Sequence, residues 1–223
     1  MSANSQVATF NIAESVHKAV GGKVSLDGLL AVWYTIGMVV QSQLSVRKGV
    51  KLAGLGTFTL TATNEPIFIL TNEFMNKYKL KQRSMGKSDN IPLTTLNYVQ
   101  LLNELATSNK GNSVDDHLTR EMVEKIYNKY LSCLGSYLIE GRSVVLSIHK
   151  VCEFVISNGE FTCNFQSDFL SAFGVSGKKV ANGEVAKGQK KAPLMPPQPP
   201  PRARDPITGD RSVPYFFVPC FTY

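Results

Sequence analysis

One tryptophan, three histidines and four cysteines leave little material for metal, redox or nucleophilic chemistry in a chain of 223 residues. Cys133, Cys152, Cys163 and Cys220 form no CxxC pair and stand at no ligand-like spacing from a histidine. That usage suits reduced thiols in a cytosolic compartment, the first three read as small core hydrophobes. His17, His117 and His149 fall on three different elements, and Asp115-Asp116 reads as a solvated loop pair. Met85-Gly86-Lys87-Ser88 ends like a phosphate-binding loop, but Lys81 stands where that motif needs its first glycine. Gly54-Leu55-Gly56 leads into a strand, so it offers no helix N-terminus to a pyrophosphate. No nucleophile elbow or Cys/His pair occurs. Neither an enzyme nor a cofactor nor a metal site is expected. A signal peptide is not expected either, since the first residues lack a basic start and an apolar run. The longest apolar run, Leu29–Val40, covers 12 residues, short of the roughly 20 that span a bilayer. It reads as a buried helix, and no membrane partner is expected.

What the chain does have is charge, unevenly placed. Residues 1–87 carry 10 Lys/Arg against 4 Asp/Glu, residues 88–173 carry 6 against 10, and residues 174–223 carry 8 against 3. A general nucleic-acid binder concentrates its positive field on the folded modules; here one module is acidic.

The patterning implies an α+β protein of repeated units. A short amphipathic helix over Ala8–Val20, capped by Asn11, ends at Gly21-Gly22. A second helix runs from Ser25 to Ser45, with Leu29, Trp33, Ile36, Val40 and Leu44 on its buried face. The period then switches to alternation: Val50–Ala62 reads as a strand bent at Gly54/Gly56. Residues 63–66 form a tight turn, Ile67–Leu70 returns, and a helix follows over Asn72–Leu80. After a polar linker, residues 81–90, the order recurs. Helices over Leu96–Ala106 and Leu118–Glu140 flank a polar loop, Ser108–Asp116. A strand over Val144–Ile156 turns at Ser157-Asn158-Gly159 into Phe161–Phe165, and Gln166–Phe173 closes as a helix. Leu55-Gly56-Thr57-Phe58 falls where Val151-Cys152-Glu153-Phe154 stands, which marks a duplication. The second copy lacks both glycines, so its bend must be made another way.

Residues 175–223 differ in kind. Ser176–Ala192 is rich in Gly and Lys, Pro193–Pro201 is mostly proline, and the last 13 residues, Arg211–Tyr223, are crowded with aromatics. The composition predicts a flexible basic tether. Pro197-Gln198-Pro199-Pro200-Pro201-Arg202 matches PxxPxR, which reads as an SH3-type ligand or as a stiff spacer.

The stretch from Lys48 to Phe58, KGVKLAGLGTF, resembles the signature of the HU/IHF fold, in which two helices lead into a G-[FL]-G-T-F bend. It is most similar to the eukaryotic HU-like family of coiled-coil domain-containing protein 81. Pro66-Ile67-Phe68-Ile69-Leu70, Ile91-Pro92-Leu93, Leu96-Asn97-Tyr98-Val99, Asn164-Phe165 and Asp168-Phe169-Leu170 extend the resemblance over about residues 1–173. It implies two tandem HU/IHF-like domains, residues 1–80 and 91–174, of order helix-helix-strand-strand-helix, paired as an intramolecular pseudo-dimer. Bacterial HU proteins grip DNA with a long β-arm. Both turns here are too tight for one, which leaves Arg47, Lys48 and Lys51, and nucleic acid is not an expected partner. No apolar heptad run supports a coiled coil.

The family is associated with centrosomes and with ciliary or flagellar axonemes. The resemblance therefore implies a cytoskeletal structural protein, on doublet microtubules, with tubulin or other axonemal proteins as partners. The candidate partner-binding residues are the tail cations Lys178, Lys179, Lys190, Lys191, Arg202 and Arg204, joined by Lys187. The terminal aromatics Tyr215, Phe216, Phe217, Phe221 and Tyr223 would act as anchors. An HU-like DNA-binding architectural protein is the alternative reading, and a cytosolic adaptor using PxxPxR a third.

Overall fold

Ser25 stops the chain from running helical too early. Its Oγ accepts the Gly28 N–H at 3.0 Å, and a 20-residue helix, α2 (Leu26–Ser45), follows. Thr119 does the same for α5 (Arg120–Ile139), accepting from the Met122 N–H at 3.3 Å. The computed structural model describes residues 6–83, 86–108 and 118–175, all within one compact unit, Met1–Val180. The tail calls, from Lys178 to Tyr223, lie outside the described residues, as do Ser84, Met85, Asp115, Asp116, His117 and Cys220.

In chain order the elements are β1 (Val7–Ala8), α1 (Thr9–Ala19), α2, β2 (Gly49–Leu52), β3 (Gly56–Leu60), β4 (Pro66–Leu70), α3 (Asn72–Tyr78) and β5 (Lys81–Gln82). They continue with β6 (Leu93–Thr95), α4 (Tyr98–Ser108), α5, β7 (Val144–Ile148), β8 (Cys152–Ser157), β9 (Glu160–Phe165) and α6 (Ser167–Ala172). Helix, helix, three strands and helix thus occur twice.

Three local expectations are corrected. Asn11 is not the cap of α1 but its third residue: the helix starts after Ala8, whose N–H donates back to Asn11 Oδ1 at 3.0 Å. Val50–Ala62 is not one bent strand but two antiparallel ones, reversed by a turn at residues 53–55 with Gly54 at φ +75°. Val144–Ile156, likewise expected as one strand, is β7 and β8, reversed without glycine through Lys150 held at φ +59°.

Each sheet borrows edges from the other half of the chain. One sheet has the order β1-β7-β8-β9-β5 and the other β4-β3-β2-β6. β1 and β5, from the first half, lie parallel to β7 and β9, while β6, from the second, lies parallel to β2. Residues expected as a polar linker therefore begin as a strand. Further on, the Asp89 N–H donates to the Leu60 carbonyl at 2.7 Å, and Ser88 bridges Thr61.

A single core runs through both halves. Phe58 stacks on Phe154 at 5.9 Å, and Phe68 meets Phe154 at 4.5 Å and Phe161 at 5.8 Å. The expected face of α2 (Leu29, Trp33, Ile36, Val40 and Leu44) is buried throughout. Each such side chain contributes roughly 1.5–3 kcal/mol by leaving water.

Candidate interaction surfaces

The described chemistry is that of packing. His17 Nδ1 lies 2.8 Å from the Val24 carbonyl, and His149 lies against the Tyr34 ring at 5.2 Å. Among the described residues no group of three or more His, Cys, Asp or Glu side chains could hold a metal. Burial pushes the Tyr127 and Tyr130 phenols far above their usual range, and the Cys152 thiol up as well. These groups stay protonated and neutral, the opposite of an activated nucleophile. Cys152 and Cys163 are buried and Cys133 half-buried.

The contacts between the halves are reciprocal. Matching the caps Ser25 and Thr119 pairs Trp33 with Tyr127. Trp33 Nε1 donates to the Ser147 carbonyl of the second half at 2.9 Å, and Tyr127 Oη to the Ala53 carbonyl of the first at 2.8 Å. Trp33 also stacks on Tyr130 at 4.8 Å. Gly37 on α2 faces the His149 main chain, where a Cβ would collide with the carbonyl oxygen. The equivalent Leu131 on α5 instead reaches Gly54, whose missing Cβ would lie 3.3 Å from Leu131 Cδ1.

At the seam between the sheets, β5 bonds β9 through its main chain and β4 through a side chain. Gln82 Oε1 accepts the Leu70 N–H at 2.8 Å, and Gln82 Nε2 donates to the Phe68 carbonyl at 2.5 Å. Lys81 of β5 and the adjoining Arg83 follow Lys79, the left-handed C-cap of α3, and Lys77 on that helix. All four are exposed, and Arg83 makes a loose pair with Glu160 at 3.9 Å. Sequence reasoning passed over this ridge, although its K-x-K-x-K-x-R spacing was legible.

Of the three cations considered for DNA, Arg47 is committed to local structure. Its guanidinium donates to Asn64 Oδ1 and to Asp89 Oδ2, each at 2.8 Å. Lys48 and Lys51 are exposed. The outward face of β3 is partly closed by the chain itself: Thr59 and Thr61 are buried, and Thr59 Oγ1 lies 3.2 Å from Ser88 Oγ. The hairpins turn tightly, between Leu60 and Pro66 and between Ser157 and Glu160. Among the described residues no helix is long and apolar enough to cross a membrane.

Two helices feeding a twisted three-stranded sheet, closed by a short helix, define the HU class of α+β modules. Residues 14–82 match the family model of the CCDC81 eukaryotic HU domain 1. The first half of the chain thus contains a CCDC81-type eukaryotic HU domain. It is a non-catalytic, architectural module.

Proposed function

We propose that this chain is a non-catalytic structural protein of the ciliary or flagellar axoneme, associated with doublet microtubules. In this reading residues 91–174 form a second HU-like domain that pairs with the first, residues 1–80, as an intramolecular pseudo-dimer with shortened arms. The observation that carries it is the reciprocity of the pairing. Trp33 crosses to Ser147 of β7 and Tyr127 to Ala53 in the turn after β2, each in the other half, and three of the short strands complete the opposite half's sheet. Such an arrangement covers within one chain the apolar helical faces that an HU-type unit otherwise presents to a second copy. What remains outside is surface for a neighbour: the Lys79–Arg83 ridge suits an acidic partner such as tubulin. The tail adds Lys178, Lys179, Lys190, Lys191, Arg202 and Arg204, with Tyr215, Phe216, Phe217, Phe221 and Tyr223 as apolar anchors.

Two experiments test this. Light scattering of the purified chain is expected to give the monomer mass of 24.5 kDa; an obligate dimer defeats the pseudo-dimer. In ciliated cells a tagged chain is expected to resist salt extraction from axonemes, and deletion of residues 205–223 to release it. Equal retention of both forms counts against the tail anchor.

The HU match itself favours a second reading, an architectural DNA binder. It requires duplex binding that weakens steeply with salt. No mobility shift at low salt eliminates it.

A further inference from the structure

We propose that the ridge formed by Lys77, Lys79, Lys81 and Arg83 binds an extended acidic peptide, a segment of a partner with a carboxylate on every second residue, held through side-chain ion pairs. This rests on the acidic-partner reading of the ridge and adds the form in which that partner arrives.

The repeat supplies the control. α3 and α6 end in the same way: the Leu80 N–H donates to the Met75 carbonyl at 2.9 Å and the Val175 N–H to the Leu170 carbonyl at 3.1 Å, while the Lys79 N–H donates to Asn76 and the Gly174 N–H to Ser171. Matched at these ends, Phe74 corresponds to Phe169, both buried. The residue that turns left-handed is Lys79 at φ +54° in one and Gly174 at φ +74° in the other. Glycine adopts that conformation freely, and a residue with a Cβ does not. Lys77 likewise corresponds to Ala172. The second half closes its helix with neutral residues, so packing demands neither cation in the first.

The cations are available. Lys79 and Lys81 have no side-chain partner among the described residues. Arg83 stays 3.9 Å from Glu160, with the two side chains 82% and 60% exposed; a pair so open to water holds little and exchanges readily for another carboxylate. Lys77 lies over the Tyr78 ring at 5.3 Å, a contact that leaves its charge in place. Two acids share these elements: Glu73, one turn before Lys77 on α3, and Glu160, the register partner of Lys81. The four cations outnumber them.

The main chain of β5 is already used. The Lys81 N–H donates to the Gly159 carbonyl at 2.7 Å, and on the β4 side the Gln82 amide bonds Leu70 and Phe68. An incoming chain is therefore met by side chains and not paired as a further strand. Lys81 and Arg83 both lie at Glu160, with the spacing of alternate residues in an extended chain, about 7 Å. An extended peptide presents its own alternate side chains at that same spacing, so carboxylates at every second position match the ridge in register. A DNA duplex carries one charge per about 1.7 Å of its axis and would set phosphates against Glu160 as well. Exposed pairs are individually weak, so the contact is salt-sensitive and serves steering and register more than strength.

The test uses the full chain and a fluorescein-labelled peptide of six Glu-Ser repeats at low salt, read by anisotropy, with carbodiimide coupling to map the lysines it touches. Amide crosslinks are expected at Lys77, Lys79 and Lys81. Replacing the four together, Lys77→Ala, Lys79→Gly, Lys81→Ser and Arg83→Ser, should weaken binding about tenfold, as the loss of several exposed pairs implies. The first two changes install residues the second half already uses, so the variant is expected to fold, which circular dichroism checks. Lys79→Gly alone should weaken binding by a smaller step while raising the urea midpoint. Lys48→Ser with Lys51→Ser, exposed cations at β2, should leave binding unchanged. Equal affinity of the ridge variant, crosslinks confined to other lysines, or duplex DNA that binds more tightly than the peptide and loses that binding with the ridge each overturn the proposal. Those outcomes leave retention on axonemes as it is measured in cells. Loss of that retention with peptide binding intact overturns the axonemal reading alone.

Discussion

Replacing Gly37 by alanine sets two effects of opposite sign against each other. Gly37 sits in the middle of α2, where alanine should stabilise an isolated helix by about 1 kcal/mol. In the folded chain, however, the new Cβ collides with the His149 carbonyl oxygen and lies 3.2 Å from both the carbonyl carbon and the amide nitrogen of the same residue. These are main-chain atoms, which cannot rotate away as a side-chain end would. The turn carrying His149 has to retreat, and it is held by the Trp33 Nε1–Ser147 bond at 2.9 Å and the Ser147 N–H to Thr9 Oγ1 bond at 2.8 Å. Overpacking costs roughly 1–3 kcal/mol, and weakening two hydrogen bonds about 0.5–1.5 kcal/mol each. Subtracting the helix gain leaves Gly37→Ala destabilising by about 1–5 kcal/mol. Urea unfolding followed by fluorescence measures this directly, because Trp33 is the chain's single tryptophan and lies one helical turn away. A variant as stable as the parent, or more so, would falsify the close approach of the two halves at this point.

Gln82→Ala removes both seam bonds to β4; a loss of about 1–3 kcal/mol is expected by urea melt, and a change within 0.5 kcal/mol would speak against the seam. Tyr127→Phe deletes the hydroxyl bonded to the Ala53 carbonyl and should cost about 0.5–1.5 kcal/mol, with hydrogen exchange rising in the turn at residues 53–55. Arg47→Ala breaks a largely exposed pair with Asp89, so stability should change by less than about 1 kcal/mol. Alkaline pH should destabilise the chain. Burial raises the folded pKa of Tyr127, Tyr130 and Cys152, so above the unfolded values the folded state holds protons that the unfolded chain has released. Stability then falls with rising pH, by up to about 1.4 kcal/mol per unit for each group, beginning near pH 8.5 for the thiol and near 10 for the phenols. Melts at pH 8 and pH 11 that coincide would contradict this.

The parts of the fold legible in the sequence were those that local physics decides. The three- and four-residue spacing of Leu29, Trp33, Ile36, Val40 and Leu44 located α2 and its buried face, and Ser25 located its start. Alternation placed the β-rich stretches but not their reversals, because a three-residue turn at Gly54 or Lys150 hardly disturbs a period of two. β1, β5 and β6, of two or three residues each, carry no pattern of their own. They exist because a strand distant in sequence lies beside them. Asn11 was misplaced because a polar residue near a helix start serves from the third position as well as from the cap. Of the interaction surfaces, the Lys79–Arg83 spacing was there to be read.

In the proposed pseudo-dimer, the differences between the halves favour a pairing of unlike halves. On the first helix the close contact is made by a glycine, Gly37, against the main chain of a turn whose left-handed position is held by Lys150; on the second it is made by Leu131 against a turn held by Gly54. Two second halves would drive leucine into the space where a single Cβ already collides. The proposed pairing of unlike halves sets Gly37 against the His149 main chain and Leu131 against Gly54, so neither contact meets that clash. Specificity of this kind is a difference between arrangements rather than a strength in one of them. It would allow the chain to keep an HU-type pairing to itself, while the exposed ridge from Lys77 to Arg83 remains for a partner.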